Sequence, residues 1–133
     1  MILGEYPPER PHWLNKPLSI PTLGGRVDIA AAQYSELVVA PMITENNNDA
    51  IVIGLGWTIA LAATGMRMAS NGRVFVSAAA AQICVEQMYS QVNDWSMFFD
   101  PDIPARIHSV FNDAIDESEA SGGIIPLYRV GVA

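Results

Sequence analysis

Between Asp49 and Arg67 the chain carries no charged residue, and this uncharged run of 17 residues (50–66) restricts the fold more than any other feature. A run of this kind crosses a bilayer, forms a strand–turn–helix unit, or lies buried in a packed core. Seventeen residues stand at the lower limit of a membrane span, where about 17–25 are needed. Alanines, three glycines (Gly54, Gly56, Gly65) and two threonines dilute its Leu and Ile, and Trp57 lies mid-run rather than at an interface. Neither flank supplies a basic cluster to set an orientation. A span at about 50–69 is therefore the secondary expectation and burial the primary one.

The order "AIVIGLG", "WTIALAATGMRMA", "RVFV" resembles the first strand–glycine–helix–strand unit of a dinucleotide-binding fold, whose fingerprint is G-x-G-x-x-G. Gly54 and Gly56 match its first two positions, but Ile59 stands where the third glycine belongs. The acidic residue that would hold a ribose is also missing after Val76. The resemblance implies at most a nucleotide-binding or enzyme accessory subunit, and packing is the simpler role for the two glycines.

Within the buried reading, large residues at odd positions from Ile51 to Leu61 have the period of a strand packed on both faces. From Ala60 onward Ala, Leu, Met and Arg favour a helix. The preferred assignment is a strand to about Leu55, a helix over about 57–70 and a stop at Gly72; a hairpin across 66–77 is the alternative. Upstream, "RVDIAAAQYSELVVAPMI" reads as one or two strands, followed by a polar turn, "TENNND", whose Asp49 is a candidate cap.

The C-terminal half has helical periodicity. Ala81, Cys84, Val85, Met88, Val92 and Trp95 form one stripe, which predicts an amphipathic helix over 77–95 with Ser77 as cap. Ile83 falls on its polar side and marks a small second contact. Ile103, Ile107, Val110, Phe111 and Ala114 predict a helix over 103–120, with Asp102 as cap and Pro104 in the first turn. "SGG" ends it, and "IIPLYRVGV" reads as a terminal strand kept from a central position by Pro126.

Five of the nine prolines (Pro7, Pro8, Pro11, Pro17, Pro21) fall in residues 1–24, which excludes a helix or a central strand there. The same segment holds too many apolar residues for a solvated linker. It is expected to be an extended arm lying on its own domain or on a neighbouring subunit. The predicted fold class is α+β: two to three helices (about 57–70, 77–95 and 103–120) packed with a small sheet, as one globular domain over 25–133 preceded by the arm over 1–24.

Charge and chemistry narrow the function. Charged residues make up only 16%, against about a quarter in soluble domains, so much surface is expected to be covered by partners. A net charge of −7, with seven scattered Lys and Arg, excludes direct nucleic-acid binding. One cysteine, Cys84, excludes an internal disulfide, and its place in an apolar stripe makes it a small hydrophobe. His12 and His108 have no Cys or His at ligand spacing, so no metal or cofactor is expected. Asp113, Asp116, Glu117 and Glu119 read as a solvated acidic face or a docking point for a basic partner. "MILGEYPPERPHW" lacks the basic and apolar regions of a signal peptide, so a cytoplasmic or particle-assembled location is expected.

The leading functional expectation is a structural assembly subunit without catalysis, for example a capsid, connector or tail component of a virion, whose partners are other protein subunits. Its interface candidates are Tyr6, Trp13 and Leu14 in the arm and Trp95, Phe98 and Phe99 beyond the first long helix.

Overall fold

In the computed structural model, which describes residues 1–45, 51–68 and 73–126, seven strands form one sheet and two helices pack on it. The strands are β1 (Ile2–Leu3), β2 (Leu14–Thr22), β3 (Gly25–Tyr34), β4 (Leu37–Glu45), β5 (Ile51–Leu61), β6 (Arg73–Phe75) and β7 (Ile124–Pro126). The helices are α1 (Ala78–Gln91) and α2 (Ala105–Ala120). The α+β expectation holds. The path β1-β3-β4-β5-β6-β7 is antiparallel except for the parallel β1–β3 pair, and β2 lies outside that path, on β3.

The region expected to be an arm is part of the sheet. β2 pairs with β3 rung by rung from Leu14↔Gln33 to Thr22↔Gly25, and Leu18 is buried in the core at 4% exposure. Proline is tolerated because β2 is an edge strand. Pro17 and Pro21, four residues apart, fall on one phase of the ladder, so their missing N–H groups lie on the same side. The proline count correctly excludes a central strand, but it also concealed an edge strand.

The expected helix over 57–70 is absent from the described residues. β5 continues through Trp57, Ile59 and Leu61, and the chain then reverses, with Gly65 N–H donating to Leu61 O at 2.8 Å and Arg67 bridging Ala60. The period of two extends across all of Ile51–Leu61, and tertiary pairing with β4 overrides the helix propensity that begins at Ala60. The expected stop at Gly72, the turn at 46–50 and most of the terminal strand lie outside the described residues.

The two later helices form on the expected stripes, but α1 stops at Gln91 rather than 95, where Val92 turns extended, and α2 starts at Ala105 rather than 103. Ser77 caps α1, its hydroxyl accepting from Ala80 N–H at 3.1 Å. Asp102 does not cap α2, whose N-cap is Pro104 with no side-chain bond. Asp102 N–H instead donates to the Asp100 carboxylate at 2.8 Å, which tightens the preceding turn. At the C-terminus Gly122 takes φ +81°, and the N–H groups of Gly122 and Gly123 donate to the carbonyls of Glu119 and Ser118. This paired return closes the orphan carbonyls, and glycine supplies the left-handed residue.

Side chains alternate between the two faces of the sheet. Leu37, Val39, Ile59, Leu61 and Phe75 meet Val85, Met88, Phe111 and Ile115 of the helices in the main core. Opposite, Val38, Ala40 and Ala60 join Leu18, Ile29 and Ala31 in a second core that, among the described residues, no helix covers. The sheet closes that core itself by curling. Gly65 at the β5 turn abuts Ser19 and Ile20 of β2, although β3 and β4 lie between β2 and β5 in the sheet. Arg26 ties the contact, donating to Ser19 Oγ at 2.9 Å and to Thr64 O at 3.0 Å.

Candidate functional site

Polar and aromatic side chains converge most densely where the β3–β4 turn meets the middle of α1. Arg10 grips Glu86 through two hydrogen bonds of 2.7 and 2.9 Å, and Trp13 Nε1 donates to the same carboxylate at 2.8 Å. Arg10 lowers the Glu86 pKa, outweighing the effect of its partial burial, and Trp13 adds to the lowering. The Trp13, Tyr34 and Tyr89 rings follow in a tilted ladder, with centroids 5.3 and 5.1 Å apart. Tyr89 accepts from Glu36 N–H at 3.2 Å, and burial raises its phenol pKa. The Glu36 carboxylate accepts from Trp95 N–H at 2.6 Å and from the Ser35 hydroxyl at 2.9 Å.

These bonds determine what the node can do. Glu86 is ionised and its oxygens are held by Arg10 and Trp13, so it is unsuited to taking up a proton near neutrality. Glu36 is tied to two backbone or near-backbone donors. The node is a latch that fastens the N-terminal segment and the β3–β4 turn onto α1, and the 92–95 loop onto that turn.

The remaining reactive groups are similarly engaged. Cys84 lies beside a small cavity of about 160 Å³ between the helices, lined also by Ile83, Gln87, Glu117 and Ser118. Burial, with a contribution from Glu117, pushes its pKa up to about 12, leaving almost no thiolate near neutral pH. Of the acidic group on α2, Asp116 and Glu119 bind Arg73 at 2.8 and 2.7 Å. Part of the expected docking point is thus an internal ion pair that fastens α2 to β6. His108 stacks on Phe98 with centroids 5.2 Å apart, and among the described residues no group of His, Cys, Asp or Glu could hold a metal.

The structure separates the six expected interface residues. Trp95 is fully buried, with Nε1 donating to Val92 O at 3.0 Å, and Phe98 is also buried, packed edge-on against Phe111. Both belong to the main core, because the loop after α1 folds back under α2. Trp13 is half-buried in the Glu86 latch. Only Tyr6, Leu14 and Phe99 face outward.

The most exposed large side chain of β5 is one that sequence reasoning passed over. Pro41 pairs with Trp57 and Ile43 with Ile53, so Gly54, Leu55 and Gly56 oppose the single residue Met42. In this bulge Leu55 projects outward at 87% exposure. The glycines allow close approach: a Cβ on Gly56 would lie 2.5 Å from Val74 Cγ2, and one on Gly54 would lie 3.2 Å from Met42 O. They stand inside a strand, not at the mouth of a helix that could receive a phosphate. The uncharged run forms a strand and a turn rather than a helix, and among the described residues no helix is long and apolar enough to cross a membrane. The signal for the bulge was the G-L-G triplet itself, read as a fragment of a nucleotide fingerprint. No family model, curated protein or solved structure matches the chain.

Proposed function

We propose that this chain is a non-catalytic structural subunit of a larger protein assembly, a shell, connector or tail of the kind found in virions being one such setting. The observation that carries the reading is the outward placement of large apolar side chains. Leu14, Leu23, Leu55 and Met97 are each more than half exposed on a chain with only 16% charged residues. Soluble monomers keep large apolar patches covered. The absence of catalysis in this reading draws support from the hydrogen-bonded state of Glu86 and Glu36 and the burial of Cys84.

The test is the absolute mass of the intact chain by light scattering over a range of concentrations. Multiples of 14.4 kDa are expected. A species that stays at 14.4 kDa at every concentration defeats the proposal.

A further inference from the structure

Among the described residues, β5 has a neighbour on both sides only near its C-terminal end. β6 bonds to it at Trp57↔Phe75, and Arg67 bridges Ala60. From Ile51 to Gly56 its ladder partner, among the described residues, is β4 alone. β3 in turn pairs with β4 only over Leu37–Val39, so the distal part of the β4–β5 hairpin extends beyond the ladders that hold the rest of the sheet. A two-stranded ribbon is marginal by itself, and an open edge is a template for another strand. This edge lacks two of the usual guards, since residues 50–66 contain neither a charge nor a proline, and is guarded by the bulge at 54–56.

We infer that the open edge of β5, with Leu55 projecting at its bulge, is the surface through which two copies of this chain pair. An unpaired row of N–H and C=O groups requires a strand as its occupant. Charge selects which strand. At a net charge of −7 two copies repel over most of their surface, whereas the uncharged run lets them touch without like-charge opposition. An edge paired antiparallel with itself about a two-fold axis matches donors to acceptors automatically and buries both copies of Leu55. This inference rests on the assembly reading and locates its contact.

The experiment compares wild type, Leu55→Lys and Leu14→Lys by light scattering, with thermal unfolding as the check on folding. Wild type and Leu14→Lys are expected at multiples of 14.4 kDa, and Leu55→Lys at 14.4 kDa with its thermal transition retained. A folded Leu55→Lys that assembles like wild type overturns the inference while leaving the assembly reading intact. A wild type that stays at 14.4 kDa overturns both. Hydrogen exchange on the unmodified chain tests the same point without a substitution. Amides of 51–55 should gain protection as protein concentration rises, and protection independent of concentration counts against the pairing.

Discussion

β2 and the distal half of β5 are both edges of one sheet, yet they are built in opposite ways. β2 carries Lys16, Pro17 and Pro21 on its ladder, pairs Pro21 with Arg26 of β3, and has the Gly65 turn lying against Ser19. Distal β5 has no proline or charge, and its bulge presents Leu55 to solvent. The same curl that covers β2 with the 62–66 turn leaves the far end of the β4–β5 hairpin extended. One edge is closed by its own chain, while at the other, among the described residues, Gly4 comes against the Ile53 side chain and β4 is the only ladder partner over 51–56. Apolar content alone did not separate them, since both segments are rich in Leu and Ile.

The most severe way to break this comparison is to remove the guarded edge. Deleting residues 1–24 strips β1 and β2 from β3 and uncovers Ile29 and Ala31, which are buried. Loss of the cooperative thermal transition is expected. A truncated chain that still melts cooperatively would mean that the segment is an appendage after all. Leu18→Ala probes the same core more gently and should cost about 2–4 kcal/mol by denaturant unfolding.

Glycine substitutions sharpen the contrast at the next level. Gly56→Ala places a methyl group against Val74 and should cost about 1–3 kcal/mol. Gly24→Ala, in the β2–β3 turn, meets nothing within 4 Å and should stay within about 0.5 kcal/mol of wild type. Equal effects at the two positions would contradict the packing assigned to the bulge.

The latch gives a modest effect and a pH signature. Its ion pair is about one-third exposed on each side, so solvent screening limits what it contributes. Glu86→Ala should cost about 1–2 kcal/mol at neutral pH, a charge-assisted bond discounted for that exposure. The Glu86 pKa is lowered on folding from 4.5, so its stabilisation is present above that value and is lost as pH falls through the folded pKa. Melting curves of wild type and Glu86→Ala should therefore draw together as pH falls below 4.5 and through the folded pKa. A gap that persists into acid would assign the loss to packing rather than charge.

Much of the second half was legible in the sequence because helices announce themselves locally. The stripe from Ala81 to Met88, the Ser77 cap and the Gly122 stop each act within a few residues, and α1 and α2 form where they indicate. Strand identity was legible wherever alternation ran unbroken, as in Ile51–Leu61, but the change of composition at Ala60 suggested a helix that pairing with β4 does not permit. Local propensity is worth tenths of a kcal/mol per residue and yields to a ladder with side chains buried on both faces.

By itself, then, the amino-acid order determined an α+β chain with two late amphipathic helices, a proline-bearing segment barred from the sheet centre, and an uncharged stretch that must find cover. The tertiary structure decided which apolar side chains are spent inside the molecule. Trp95, both a stripe residue and an interface candidate in sequence, is core, as is the interface candidate Phe98; Leu55 looks like core and is exposed, and Glu86 finds Arg10 across 76 positions. Those outcomes depend on contacts between residues far apart in the chain, and no local pattern encodes which distant surface will arrive.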